Sequence, residues 1–164
     1  MPHQSELPIL TALKRGEIIL QGQFPRGSNY AFLGWVKHEG IHLPIVYKPI
    51  RGELPLWDFP AHTLAKRETA TYVVNRHLNW ELVPPTVFRK KNLPAGPGSL
   101  QLFIDHDPNI NYFTLDENHR QKLKDVVLLD LMINNADRKG GHILLDSQDH
   151  IWLIDHGLCF HTDY

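Results

Sequence analysis

No helix can cross Val83-Pro84-Pro85-Thr86. Proline lacks the N–H of the helical ladder, and its ring clashes with the preceding turn. The Pro84-Pro85 pair therefore separates two helical windows and forces extended or irregular chain between them. Thr63 is placed to cap the first window. From Leu64 to Leu78 the positions Leu64, Ala65, Ala70, Val73, Val74, His77 and Leu78 predict a helix with one buried face. Glu117 to about Ile133 predicts the second helix, closing on Val126-Val127-Leu128-Leu129.

The rest reads as strands and turns. Glu17–Gln21 and Tyr30–Val36 flank Phe24-Pro25-Arg26-Gly27-Ser28-Asn29, a stretch of turn formers. Pro44–Lys48 is a third strand, and residues 51–62 an irregular loop. Val87-Phe88 and Ser99–Ile104 are joined by the Gly/Pro-rich link 92–98. Residues 105–114 form a polar connector. The chain closes in a hairpin, Ile143–Leu145 and Ile151–Ile154, which runs straight into Asp155-His156-Gly157. The expected class is α+β, with a sheet and one helix in residues 1–104 and a partial helical lobe in 105–164.

Composition narrows the function. The chain has 164 residues, 17 Lys plus Arg, 18 Asp plus Glu and a formal net charge of -1. That balance argues against a global electrostatic grip on nucleic acid. No apolar run is long enough to cross a membrane. The N-terminus lacks the basic start and apolar core of a secretion signal. Cys159 is the sole cysteine, which excludes an internal disulfide, an all-cysteine zinc site and a cluster of acylatable thiols. A reducing, cytoplasmic setting is the simplest expectation.

Three clusters can carry chemistry. The backbone of the Gly27-Ser28-Asn29 turn can cradle phosphate oxygens, although the same residues suit an ordinary hairpin. Lys48 ends an apolar strand, where its ammonium needs a carboxylate or phosphate partner; Glu68 on the following helix is one. Asp137 lies in a Gly-rich loop and Asp155 at the end of an apolar strand, so the hairpin can bring both to one edge. Converging carboxylates hold a cation or raise one pKa. His142 precedes the same hairpin.

In order, these clusters look like a kinase, which needs a loop over the phosphates, a lysine on the third strand, a carboxylate on the next helix and two later aspartates. The chain has no GxGxxG and no His-Arg-Asp. It resembles instead the phosphatidylinositol 3-/4-kinase superfamily, in particular the type II phosphatidylinositol 4-kinases and bacterial kinase-like relatives. The matching stretches are Gly27-Ser28-Asn29-Tyr30, Val46-Tyr47-Lys48-Pro49, Arg67-Glu68-Thr69-Ala70, Val83-Pro84-Pro85-Thr86, Gly98-Ser99-Leu100-Gln101, Asn135-Ala136-Asp137-Arg138 and Ile154–Phe160.

The resemblance implies a bilobal protein-kinase-like fold, with an antiparallel-sheet N-lobe and a truncated helical C-lobe. It implies ATP and Mg²⁺ as cofactors, with Mn²⁺ as an alternative. Gly27, Ser28 and Asn29 would touch the phosphates, and Lys48 with Glu68 would hold the α/β-phosphates. Gln101, Phe103 and Ile104 would lie along the adenine. Asp137 would act on the acceptor hydroxyl, and Asp155 would bind the metal. His142 stands where the family has a metal-ligating Asn, so His142 joins the metal candidates. The acceptor is left open between a lipid headgroup, a protein and a small alcohol. The short second lobe leaves room for self-association. Two other readings stand beside transfer. One is a nucleotide-binding pseudokinase; the other is a metal-dependent hydrolase built from Asp137, His142, Asp155 and His156.

Overall fold

A computed structural model describes residues 3–24 and 30–162. The chain begins with a helix, α1 (His3–Arg15), then forms β1 (Glu17–Gln23), β2 (Phe32–His38) and β3 (Ile41–Pro49). Next come α2 (Leu64–His77), β4 (Thr86–Arg89), β5 (Gly98–Leu102), α3 (Glu117–Met132) and a small hairpin of β6 (Ile143–Leu145) and β7 (Ile151–Leu153). The first five strands make one antiparallel sheet in the order β1-β2-β3-β5-β4. The expected α+β lobe is therefore present. The strand and helix positions follow the sequence expectation, with ends shifted by a few residues.

The local chemistry explains the sheet. Glu39 (φ 46°) and Gly40 (φ 81°) form the two-residue connection between β2 and β3. That left-handed pair matches the twist of the flanking strands. Gly98 lets β5 pass hard against β3: a Cβ there would collide with the Lys48 carbonyl oxygen and the Tyr47 ring. Along β3 the side chains alternate. Ile45 and Tyr47 are buried in the core, while Val46 and Lys48 border a cavity on the opposite face.

Three expectations need correction. No helix was expected before residue 16, yet α1 buries Leu10, Ala12 and Leu13 and contacts β2, β4 and β5. Buried Arg89 donates to the carbonyls of Leu13 and Gly16, which closes the C-terminal end of α1. The face of α2 is also rotated from the one anticipated. Its buried residues are Leu64, Ala65, Glu68, Thr71, Tyr72 and Asn75, while Val73 is exposed. Thr63 precedes α2 without capping it through its side chain. Glu53 accepts from the Ala65 amide instead, at 2.8 Å.

Helix α3 is capped by Asp116, which accepts from the His119 amide at 2.9 Å. It buries Val126 and Leu129 but leaves Val127, Leu128, Leu131 and Met132 exposed. Leu129→Ala is expected to cost about 2–5 kcal/mol, whereas Leu128→Ala should stay within about 0.5 kcal/mol. Urea unfolding of the two variants checks this; equal losses would mean that the face of α3 is wrongly assigned.

Candidate active site

The site is built on Lys48. Its ammonium, on the cavity side of β3, meets Glu68 Oε1 on α2 and lies 2.9 Å from Asp155 Oδ1, just after β7. One cation thus joins three elements far apart in sequence. Burial works against the charged ammonium, but the carboxylates of Glu68 and Asp155 outweigh it and the pKa of Lys48 rises. Asp155 keeps its charge: Lys48, above all, holds its carboxyl well below the usual carboxylate range. Glu68 is only 3% exposed, and burial raises its pKa despite Lys48. One ammonium shared between two carboxylates leaves the more buried one under-compensated.

The backbone around Asp155 is held from two sides. The His156 amide donates to Glu68 Oε2 at 3.1 Å, fastening this segment to α2. Arg138 fastens it to α3: its guanidinium grips Asp130 with two nitrogens, at 2.9 and 2.8 Å, and donates to the Ile154 carbonyl at 3.0 Å. The same group reaches His156 Nε2 at 2.8 Å. A guanidinium can only donate, so Nε2 accepts and the ring is neutral. Burial, then the charge of Arg138, push the His156 pKa well down in agreement. Asp155 itself has φ 61°, a left-handed conformation that is uncommon outside glycine and clusters at functional sites.

A cavity of about 510 Å³ opens against Lys48, a size suited to a small-molecule ligand. Lys48, Glu68, Asp155 and His142 form its polar end, and Gln101, Phe103 and Ile104 are among its other walls. The Gln101 amide nitrogen donates to Thr86 Oγ1 at 2.9 Å. His142 Nε2 faces Asp155 Oδ2 at 3.4 Å. Burial lowers the His142 pKa, and Asp155 only partly opposes this. Asp137 does not line the cavity; Lys139, which does, donates to Asp137 Oδ2 at 2.7 Å. Of the sequence candidates, Gly27, Ser28 and Asn29 lie outside the described residues. Phe24 and Tyr30, which flank them, border the cavity.

The Asp155 carboxylate is a ligand that magnesium accepts, whereas the His142 imidazole is a softer ligand that suits it poorly. Magnesium takes one or two carboxylates and fills its shell with phosphate oxygens and water. Asp155 supplies such a carboxylate, half exposed to the cavity, with His142 beside it. Among the described residues no group of three or more His, Cys, Asp or Glu converges as a self-sufficient cation site. His38-Glu39-Gly40-Ile41-His42 carries a zinc-protease spacing, but it spans the β2–β3 turn rather than a helix.

The profile of the phosphatidylinositol 3- and 4-kinases matches residues 23–164. The chain belongs to this family. The Mycobacterium tuberculosis protein Rv2133c is 36% identical over 186 aligned positions, covering 92% of this chain and 66% of that protein. Phosphatidylinositol 4-kinase gamma 4 of Oryza sativa subsp. japonica is 32% identical over 112 positions, or 58% of this chain and 20% of the plant protein. The chain thus spans only part of these relatives. The crystal structure of the Golgi casein kinase superposes with a TM-score of 0.59 at 18% identity, covering 98% of this chain and 58% of that one. The fold is therefore kinase-like, with a sheet-based lobe and a short second lobe.

Sequence reasoning missed the roles of two arginines that fasten the chain around and after Asp155. Arg138 and Arg67 stand in the matching stretches of the sequence without a role of their own. Arg67 donates to the Cys159 and Phe160 carbonyls at 2.6 and 2.7 Å and lies over the Phe59 ring. An arginine next to a candidate aspartate was the available signal for Arg138. Cys159 is buried, which pushes its thiol up to about 12, and so it is not a nucleophile.

Proposed function

We propose that the chain is an ATP- and Mg²⁺-dependent phosphotransferase that moves the γ-phosphoryl group to a hydroxyl acceptor. The observation that carries this reading is the convergence of Lys48, Glu68 and Asp155 at one end of the large cavity. Lys48 would bind the α/β-phosphates, with Glu68 orienting its ammonium. Gln101, Phe103 and Ile104 would contact the adenine, and the backbone of Gly27, Ser28 and Asn29 would cover the phosphates. Asp155 with His142 would hold the metal ion, which when bound neutralises phosphate charge. Asp137 would take the proton of the acceptor hydroxyl, once Lys139 turns from it to a phosphate oxygen. The two regions 1–104 and 105–164 would act as the lobes enclosing the nucleotide. The family supports a phosphoinositide headgroup among the acceptors, alongside a protein hydroxyl and a small alcohol. Self-association through the exposed face of α3 fits the same reading, as does a cytoplasmic setting.

The test is ATP turnover by the purified chain with Mg²⁺ or Mn²⁺. Asp137→Asn with Asp155→Asn should remove turnover; activity surviving both changes sinks the assignment. A second reading, nucleotide binding without transfer, is favoured by His142 standing where the family pattern has Asn. It predicts ATP-dependent thermal stabilisation, about 3 kcal/mol at a hundredfold excess over Kd, with no turnover.

A further inference from the structure

Val83-Pro84-Pro85-Thr86 is a motif that the proposed chemistry leaves without a role. Thr86 on β4 pairs with Gln101 on β5, and Gln101 pairs with Val46 on β3. Residues paired across antiparallel strands share a face. Gln101 therefore stands on the cavity side of the sheet, beside the Lys48–Ser99 pair, and it lines the cavity. Donor and acceptor logic fixes how it presents its amide. The Pro84 carbonyl can only accept, so the Thr86 hydroxyl donates to it, at 2.7 Å. A hydroxyl has one proton, so toward Gln101 the Thr86 oxygen can only accept. The amide atom facing it at 2.9 Å is therefore Nε2, and Oε1 is turned away. Thr86 is 1% exposed, which keeps water from competing for this chain of bonds. Among the described residues Oε1 meets no donor, and it is not sealed from solvent. It is the polar atom that Gln101 offers to the cavity. Ala31, Val46, Leu144 and Ile154 add apolar wall to the same cavity. An acceptor fixed in such a slot favours a ligand edge that donates. A ligand carbonyl placed against it would lose its water and gain no partner.

We propose that Gln101, locked by Thr86 and Pro84, selects a nucleobase that presents an exocyclic amine, and so adenine over hypoxanthine or guanine. Thr86 is a positioning residue: it does not reach the base, and it acts by keeping the Gln101 amide from turning over. The inference rests on the nucleotide reading of the cavity, but its test reads binding rather than turnover. ATP and inosine triphosphate, which has a carbonyl oxygen where ATP has its amine, are titrated into the chain with Mg²⁺ and followed by calorimetry. ATP should bind at least about tenfold more tightly. Gln101→Leu should remove most of that preference. Thr86→Val should narrow it differently, by tightening inosine triphosphate as the freed amide turns Nε2 to the carbonyl. Thr86→Ser, which keeps the hydroxyl, should keep the preference. Three results would each overturn the proposal: equal affinities in the wild-type chain, a preference untouched by Gln101→Leu, or a Thr86→Val chain that weakens both nucleotides alike. Gln101→Leu decides the matter alone if Thr86→Val does not fold. If neither nucleotide binds the wild-type chain, the nucleotide reading itself fails and takes this inference with it.

Discussion

Replacing Lys48 by methionine is expected to reduce nucleotide turnover by about 10²–10³-fold or more and to lower stability by about 3–5 kcal/mol at neutral pH. The second effect follows from what is left behind. Glu68 and Asp155 would face each other without a counter-charge, one of them almost fully buried. The pH dependence has a definite sign. In the wild-type chain the Asp155 pKa is depressed, so its contribution is present above the unfolded value of about 4 and lost as pH falls through the depressed one. The Glu68 pKa is raised, so its ionisation costs stability above about 4 and that cost is relieved in acid. Without Lys48 the Asp155 contribution disappears and the Glu68 cost grows. The Glu68 share of the stability gap between wild type and variant should therefore shrink between neutral pH and about 4, while the Asp155 share persists there and is lost only as pH falls further. Urea midpoints at the two pH values measure it. A gap unchanged with pH would assign the loss to packing rather than charge.

Arg138→Ala should be nearly as damaging, at about 3–5 kcal/mol. The change leaves Asp130, whose side chain is 17% exposed, without its counter-charge and with the neutral Asn135 amide as a donor, and removes the donors to the Ile154 carbonyl and His156 Nε2. Lysine in its place retains the charge but not the planar fork, and should recover only part of the loss. Chemical denaturation of both variants decides the matter. A cost below about 1 kcal/mol for Arg138→Ala would reduce the Asp130 contact to an ordinary surface ion pair.

Much of this architecture was readable from local chemistry. Proline positions and alternating apolar residues locate the strands, and the run into Asp155-His156-Gly157 marks a functional edge. Lys48 and Glu68 were paired from their place on a strand end and the next helix, and the structure brings them together. The buried face of α2 was not readable, because Glu68, Thr71 and Asn75 occupy it where a periodicity argument expects apolar side chains. Their burial is bought by partners that no local window contains. Glu68 has Lys48 and the His156 amide, and Asn75 donates to the Trp80 carbonyl and accepts from Leu82 N. Helix α1 escaped notice for a related reason: its carbonyl partner is Arg89, more than seventy residues away. The roles of Arg138 and Arg67 likewise exist only after folding.

The grip of Arg67 on the Cys159 and Phe160 carbonyls, together with that of Glu68 on the His156 amide, makes adjacent residues of one helix anchors for the final stretch of described chain, beside the bonds it makes to Ile133, Asn134 and Ala136. Peeling that stretch away would strip Arg67 of its two carbonyl acceptors and Glu68 of the His156 amide, and fraying α2 would loosen the stretch. The two pieces therefore open as one cooperative unit, and the geometry around Asp155 can be no more durable than the helix that carries Lys48's partner.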